Sequence, residues 1–331
     1  MSEPFNHKIR MKYEIWGDNE NESLWFQGLD SRLASAKVRN IGPRGTNSEI
    51  VDSLVVYDRP DIILLADEKP ILVLEKTAEV PTGHNVGQRV ARLVRAAEHE
   101  IPVLYFLPFD ARKHGKYAGI CHINTRLIKA MMRMSEIHSV PVMPIEWPSR
   151  ISDGELISDG TQDLNLSNIV GSLLDSYPKK WNAVTKHHES WLEAELERRN
   201  DLYPPYKKLP TSARIEKTTK FLKGLKFDVS KYSTLHDRDN SLIYRMNMSP
   251  EKCRREDPYT GTQFIYDYGW LRNGPLPSDR DTNLLIHVPK VTLKRWKEAN
   301  PNDSSRKSSN WYLTADAIVL KDGIILIDQS S

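Results

Sequence analysis

Asp61 and Glu75 are the two residues of this sequence whose types and spacing best suit them to act together. Each carries a carboxylate, and thirteen residues lie between them. Those residues read as two apolar runs around a polar turn: 61–66 (DIILLA), 67–70 (DEKP) and 71–75 (ILVLE). The acidic and proline residues at 67–70 mark the turn. Folded back as an antiparallel hairpin, Asp61 opens one strand and Glu75 ends the next, so both reach the same end of the sheet. Mg²⁺ takes hard oxygen ligands and accepts only one or two protein carboxylates. An ion held there could activate water, neutralise charge at phosphorus and assist the leaving oxygen, which is what phosphodiester hydrolysis requires. Alternation places Thr77 on the Glu75 face and Lys76 on the other, with the Lys76 carbonyl a further candidate ligand. The plain alternatives are a turn carboxylate after Pro60 and a strand-end charge facing water. A carboxylate ending so apolar a run usually has a partner or an ion.

The elements around the pair suggest an α/β core. Residues 53–57 (SLVVY) read as a β run, 61–66 and 71–75 as strands, 85–100 as a helix and 101–107 as a buried strand. A helix near 122–136 and a strand at 140–147 complete the order strand, strand, strand, helix, strand, helix, strand. Residues 148–162, rich in Ser, Asp and Gly, suggest a boundary between a core at 1–150 and a second region at 151–331. In that region 165–200 reads as helical, with a break at 177–178. Residues 201–331 read as α+β, closing in a hairpin at 315–328 that turns at 321–323. That hairpin loosely echoes the first, with Asp316 and Asp328 at its ends.

The stretch RPDIILLADEKPILVLEKT resembles the core of the PD-(D/E)xK nuclease superfamily, which includes most type II restriction endonucleases. Pro60-Asp61 matches the PD element and Glu75-Lys76-Thr77 occupies the place of (D/E)-x-K. The resemblance covers about residues 45–147. It implies a restriction-endonuclease-like mixed sheet flanked by helices, and a Mg²⁺-dependent, sequence-specific endonuclease acting on double-stranded DNA. It also implies metal ligation by Asp61 and Glu75. The family's lysine, thought to orient or deprotonate the attacking water, would stand at 77, where this chain has threonine. Three outcomes stay open: Lys76 serves through a bulge that turns the strand, the Thr77 hydroxyl holds the water, or the site binds DNA without cutting. Many members carry another acid on an earlier helix; Glu49 is the candidate, with Asp52 in reserve, against a solvated residue at an element start. A repair or structure-specific nuclease of the same fold is the nearest alternative function.

Charge outside the core points to nucleic acid more than the formal net +3 does. Gln88, Arg89 and Arg92 begin the helix after Glu75 and could reach phosphates, beyond a loop holding a lone histidine, His84. Residues 207–231 carry eight Lys/Arg against two acids. Lys217, Lys220, Lys223 and Lys226 make a basic stripe if that stretch is one helix, although Gly224 weakens it. Arg254, Arg255 and Gln263 lie in a basic, aromatic stretch and could read base edges. A solvated face is the alternative for each. A homodimer is expected, because two-fold DNA sites suit two-fold proteins. Two cysteines suit a reducing compartment, the cytoplasm. No apolar run is long enough to span a bilayer, and the N-terminus lacks a secretory signal.

Overall fold

Two acidic residues make the turn of the central hairpin. Strand β3 (Ile62–Ala66) pairs antiparallel with β4 (Lys69–Lys76). Asp67 and Glu68 between them both take positive φ, 46° and 65°, as a tight two-residue hairpin turn demands. Neither is glycine, so the turn is strained locally. It is held from outside: the Lys12 amide donates to Asp67 Oδ1 at 3.0 Å, and the Asp67 amide donates to the Lys12 carbonyl. A register shift at Leu64/Leu65 places one bulge near the turn, where Pro70 enters the strand.

In the computed structural model the described residues are 11–82, 85–86, 89–116, 118–177, 182–202, 213–250, 267, 271–275, 279–299 and 311–327. The hairpin lies inside a six-stranded sheet of order β2-β1-β3-β4-β5-β8. Its other strands are β1 (Tyr13–Gly17), β2 (Lys37–Asn40), β5 (Val103–Pro108) and β8 (Val142–Trp147). A small hairpin, β6 (Asp110–Lys113) with β7 (Gly119–His122), follows β5. β1 runs antiparallel to β3, whereas β4, β5 and β8 are parallel. The parallel steps need crossovers. Helix α3 (Ala91–Glu98) supplies the first and α4 (Thr125–His138) the second; they follow α1 (Glu20–Gln27) and α2 (Glu49–Leu54). β3 and β5 are buried along their whole length, because helices cover both faces of the sheet. Ile63, Val73, Tyr105 and Leu107 meet α3 and α4 on one face. Ile62, Leu74, Leu104 and Phe106 meet Phe26 of α1 on the other, together with Leu166 and Val170 of α5 (Leu164–Ser176).

The protein is thus mixed α/β, with a mixed sheet flanked by helices and a second sheet beyond it. The second has order β13-β12-β11-β10-β9. Its strands are β9 (Ala213–Lys217), β10 (Asn240–Arg245), β11 (Thr282–Val288), β12 (Ala317–Leu320) and β13 (Ile324–Leu326). The expected closing hairpin is β12–β13, paired antiparallel. Helix α6 (Asn182–Leu202) still packs on the first sheet: Leu192 and Leu196 join its core, and Arg199 pairs with Asp110 at 2.7 Å. The packing therefore changes sheets after residue 202, not at the composition break near 150. The two regions also meet closely. Leu242, Tyr244 and Ile286 belong to the apolar cluster that holds Ile63 and Leu93, and the buried Arg272 pairs with Glu98 of α3 at 3.0 Å.

One expected strand is absent. Residues 53–57 are the end of α2 and the bend after it. Val51, Leu54 and Val55 are buried, and their spacing is helical, not alternating. The sheet instead recruits β1 and β2 from the mixed stretch 1–45. No helix among the described residues is long and apolar enough to cross a membrane.

Candidate active site

Extending the register Ile62↔Leu74 by one residue sets Asp61 across from Glu75, on one face at one end of the hairpin. Both are nearly inaccessible: Asp61 is 5% exposed and Glu75 0%. The main-chain N–H of Lys76 donates to Asp61 Oδ2 at 2.6 Å, which fixes the aspartate against the next strand. Asp61 in turn steadies the edge of the site, its carbonyl accepting the Asp18 amide at 2.9 Å.

Two arginines enter from above. Arg92 of α3 donates from Nη1 to Glu75 Oε1 at 2.7 Å, from Nε to Asp58 Oδ2 at 3.1 Å, and lies 3.6 Å from Asp61 Oδ1. Arg89 donates to the same Glu75 Oε1 at 2.9 Å. Three carboxylates thus face two guanidinium groups in a mostly dry corner. Glu75 Oε2 is buried and has no hydrogen-bond partner among the described residues. Burial pushes the Glu75 carboxyl up to about 8, with Arg92 opposing the rise and Asp61 adding to it. Burial also raises Asp61, against the pull of Arg92 and of the Lys76 amide. Desolvation of this size, beside a specific charge partner, marks a candidate functional corner.

The remaining residues of the motif divide by face. Thr77 is buried on the Glu75 side, where its Oγ1 accepts the Glu79 amide at 3.1 Å and its amide continues the ladder to Phe106. No bulge occurs at 75–77, since Glu75↔Tyr105 and Lys76↔Phe106 pair in register. Lys76 consequently points to the opposite face, its Nζ 3.9 Å from the centroid of the Trp25 ring. It does not stand in for the family lysine.

Glu49 begins α2 and lines a cleft of about 730 Å³ with Trp16, Arg39, Leu65 and Glu68. Leu65 and Glu68 mark the turn end of the hairpin, whereas Asp61 and Glu75 close the other end, so Glu49 is not part of this corner. Asp52 is occupied in holding the loop before α2, accepting from the Gly45 amide and Asn47 Nδ2. Two acids that sequence reasoning missed are nearer. Asp58 shares Arg92. Glu22 of α1 is raised by burial and by the charge of Asp61, with Lys76 opposing, and its Oε2 is buried without a partner among the described residues. The sequence signal for Asp58 was its place just before the Pro60-Asp61 pair. Glu22 had none, because its helix begins in the stretch that looked featureless.

The nucleic-acid candidates fare unevenly. Arg89 and Arg92 are 15% and 12% exposed and turn inward to Glu75, not out toward solvent. Lys217 ends β9 and Lys220 lies in α7 (Thr218–Lys223), so the lysine stripe is a strand followed by a short helix ending at Gly224. Both lysines are exposed and pair on the surface, Lys217 with Asp239 at 3.3 Å and Lys220 with Glu216 at 3.4 Å. Gln88, Arg254, Arg255 and Gln263, like His84, lie outside the described residues. Of the echoing hairpin, Asp316 is taken up by Arg238 and Arg280, each at 3.0 Å, and Asp328 lies outside the described residues.

Can this corner hold a divalent cation? Its donor set is two converging carboxylates with one orphaned, buried carboxylate oxygen, and acid outnumbers base around it. Such hard carboxylate oxygens are what Mg²⁺ takes, and it needs few of them from the protein. Among the described residues no group of three or more His, Cys, Asp or Glu is arranged to share an ion. Comparison with protein-family models, with curated proteins and with solved structures finds no match to this chain.

Proposed function

We propose that this chain is a Mg²⁺-dependent endonuclease that cuts double-stranded DNA at specific sequences, in the manner of a type II restriction enzyme of the cytoplasm. The observation that carries this reading is the Asp61–Glu75 corner, with its unpartnered Glu75 Oε2. Strand order supports it. β3 and β4 are antiparallel, and α3 then crosses over to the parallel β5, in keeping with the mixed sheet flanked by helices that the PD-(D/E)xK resemblance implies. When bound between Asp61 and Glu75, the ion would supply an activated water and neutralise charge at phosphorus.

The chain's own residues set the stage for that chemistry. The Lys76 amide orients Asp61 so that Oδ1 stays directed at the corner. Arg92 ties Asp58, Asp61 and Glu75 to α3, so the helix position controls how far the two carboxylates open. Glu75 must be ionised to act as a ligand, and burial makes that happen only toward pH 8. Thr77 offers a hydroxyl where the family has an ammonium, so it can orient a water but brings no positive charge. The exposed basic surface of β9 and α7 is the described region best suited to phosphates.

One observation favours a second reading, a DNA-binding protein that does not cut. Arg89 and Arg92 both occupy Glu75 Oε1, a closed ion-pair arrangement that could be complete without metal. Incubating the purified chain with linear phage DNA and Mg²⁺, beside Asp61→Ala, separates the readings. Discrete fragments from the native chain alone support the nuclease. Salt-sensitive binding without cutting supports the second reading, and equal cutting by both proteins removes Asp61 from the mechanism.

A further inference from the structure

The two large sheets have four edges among the described strands, and three are blunted against pairing in different ways. β8 has one of its carbonyls, that of Pro144, occupied by His188 of α6 at 2.9 Å. β2 carries Lys37 and Arg39 in four residues, a basic edge that repels its own copy. β13 is three residues long. β9 differs: its sequence is Ala-Arg-Ile-Glu-Lys, it pairs on one side only among the described residues, with β10, and its central Ile215 is 59% exposed. A protected edge usually places a charge at that central position.

The charges of β9 have a particular symmetry. Arg214 and Glu216 flank Ile215 and project to the same face, where they pair with each other at 3.1 Å and Arg214 lies 5.7 Å from the Phe221 ring centroid. If a second β9 ran antiparallel about a two-fold axis through Ile215, Ile215 would meet its own copy. Arg214 would then stand opposite Glu216 of the second copy, and Glu216 opposite its Arg214. The four charges would alternate in sign around a square. Ala213 would face Lys217, so no like charges would be opposed. Directly opposed pairs of opposite charge stabilise antiparallel strands, and like charges destabilise them.

We propose that β9 is a self-association edge, through which two copies of this chain join their five-stranded sheets into one continuous sheet. A closed two-fold contact of this kind uses the same patch on both partners. It would also bring two β9–α7 basic surfaces side by side. The inference rests on the edge alone and does not need the nuclease reading.

The test uses the full chain without DNA, in a background carrying Cys121→Ser and Cys253→Ser. Opposed residues of an antiparallel pair have Cα atoms roughly 4.5–5.5 Å apart, within the range a disulfide spans. Mild oxidation should therefore link Ile215→Cys into a covalent dimer. Ala213→Cys should stay unlinked, because its own counterpart would lie roughly 13 Å away along the strand. In sedimentation equilibrium, Arg214→Glu should weaken the dimer on the order of tenfold, since both cross-strand pairs become repulsive. Adding Glu216→Arg to that variant should restore it. Far-ultraviolet circular dichroism on each variant separates a lost contact from a lost fold. A native chain that stays monomeric at every concentration overturns the proposal. So does a dimer that survives Arg214→Glu unchanged while Ile215→Cys fails to link.

Discussion

Replacing Arg92 with methionine removes the guanidinium that Asp58, Asp61 and Glu75 share while keeping much of its aliphatic volume. The side chains left behind are 19%, 8% and 0% exposed, so water restores little. Removing one partner of a buried ion pair costs about 3–5 kcal/mol, because the remaining charge is uncompensated. Arg89 still reaches Glu75 and the Lys76 amide still holds Asp61, which puts the expected loss near the lower end, about 3 kcal/mol. That loss should depend on pH with a definite sign. Burial already raises Glu75 to about 8 against the pull of Arg92, and without Arg92 the carboxyl titrates higher still. An acid whose folded value lies above its unfolded one holds extra protons in the folded state. Its contribution to stability is complete below the unfolded value and disappears as pH rises through the folded value. The native chain therefore finishes losing that contribution near pH 8, while the variant goes on losing it, by at most about 1.4 kcal/mol per pH unit. The deficit should thus be smaller near pH 7, where Glu75 is largely protonated, and approach about 3 kcal/mol near pH 9.5, where it is charged. Urea unfolding at both pH values, followed by the fluorescence of the eight tryptophans, measures it as a fall in midpoint. A deficit below about 1 kcal/mol at both pH values, or one that does not grow with pH, would refute the view that Arg92 is the charge hub of this corner.

Other consequences are as specific. Asp61→Asn keeps the shape but weakens one ligand, so cleavage should fall at least about a hundredfold while DNA retention on a filter is little changed; equal losses in both would mean Asp61 acts in binding. Lys76→Met removes a cation stacked on Trp25 on the far face, so it should cost about 0.5–1 kcal/mol in urea unfolding and leave the cleavage rate within a few-fold. Abolished cleavage in a stable Lys76→Met protein would place that ammonium in the mechanism after all. Protons compete with metal for Glu75, so the rise in Tm on adding Mg²⁺ should grow as pH increases toward about 8 and level off above it; a rise that is the same at pH 6 and pH 9 contradicts that linkage.

The central hairpin was legible because its chemistry is local. Short continuous apolar runs on either side of the DEKP turn suit a doubly covered pair of strands, and β3 and β4 are that pair. Helix α4, the strands β5 and β8, and the end of α5 at Ser176 were equally readable. Residues 53–57 misled because β-branched residues mark a strand by composition, whereas Val51, Leu54 and Val55 are spaced for a helix face. β1 and β2 were missed because they are short, polar-edged and paired with segments far along the chain. The site split in the same way. Asp61 and Glu75 could be placed across from each other by folding the hairpin about its turn. The inward turn of Arg89 and Arg92, the approach of Glu22 and the removal of Glu49 to another cleft depend on how helices dock, which no local pattern encodes. The lysine series looked like one helix because every third residue was basic, yet the chain changes from strand to helix between Lys217 and Thr218.

The central claim is that Asp61 and Glu75 together form a divalent-cation site, and Mn²⁺ titration followed by electron paramagnetic resonance tests it without any need for DNA. At a pH above 8 the native chain should remove the free-ion signal with saturation, whereas Asp61→Asn and Glu75→Gln should each abolish that uptake while retaining the native circular dichroism spectrum. Uptake that persists unchanged in both variants, or its absence in the native chain under those conditions, would contradict the account.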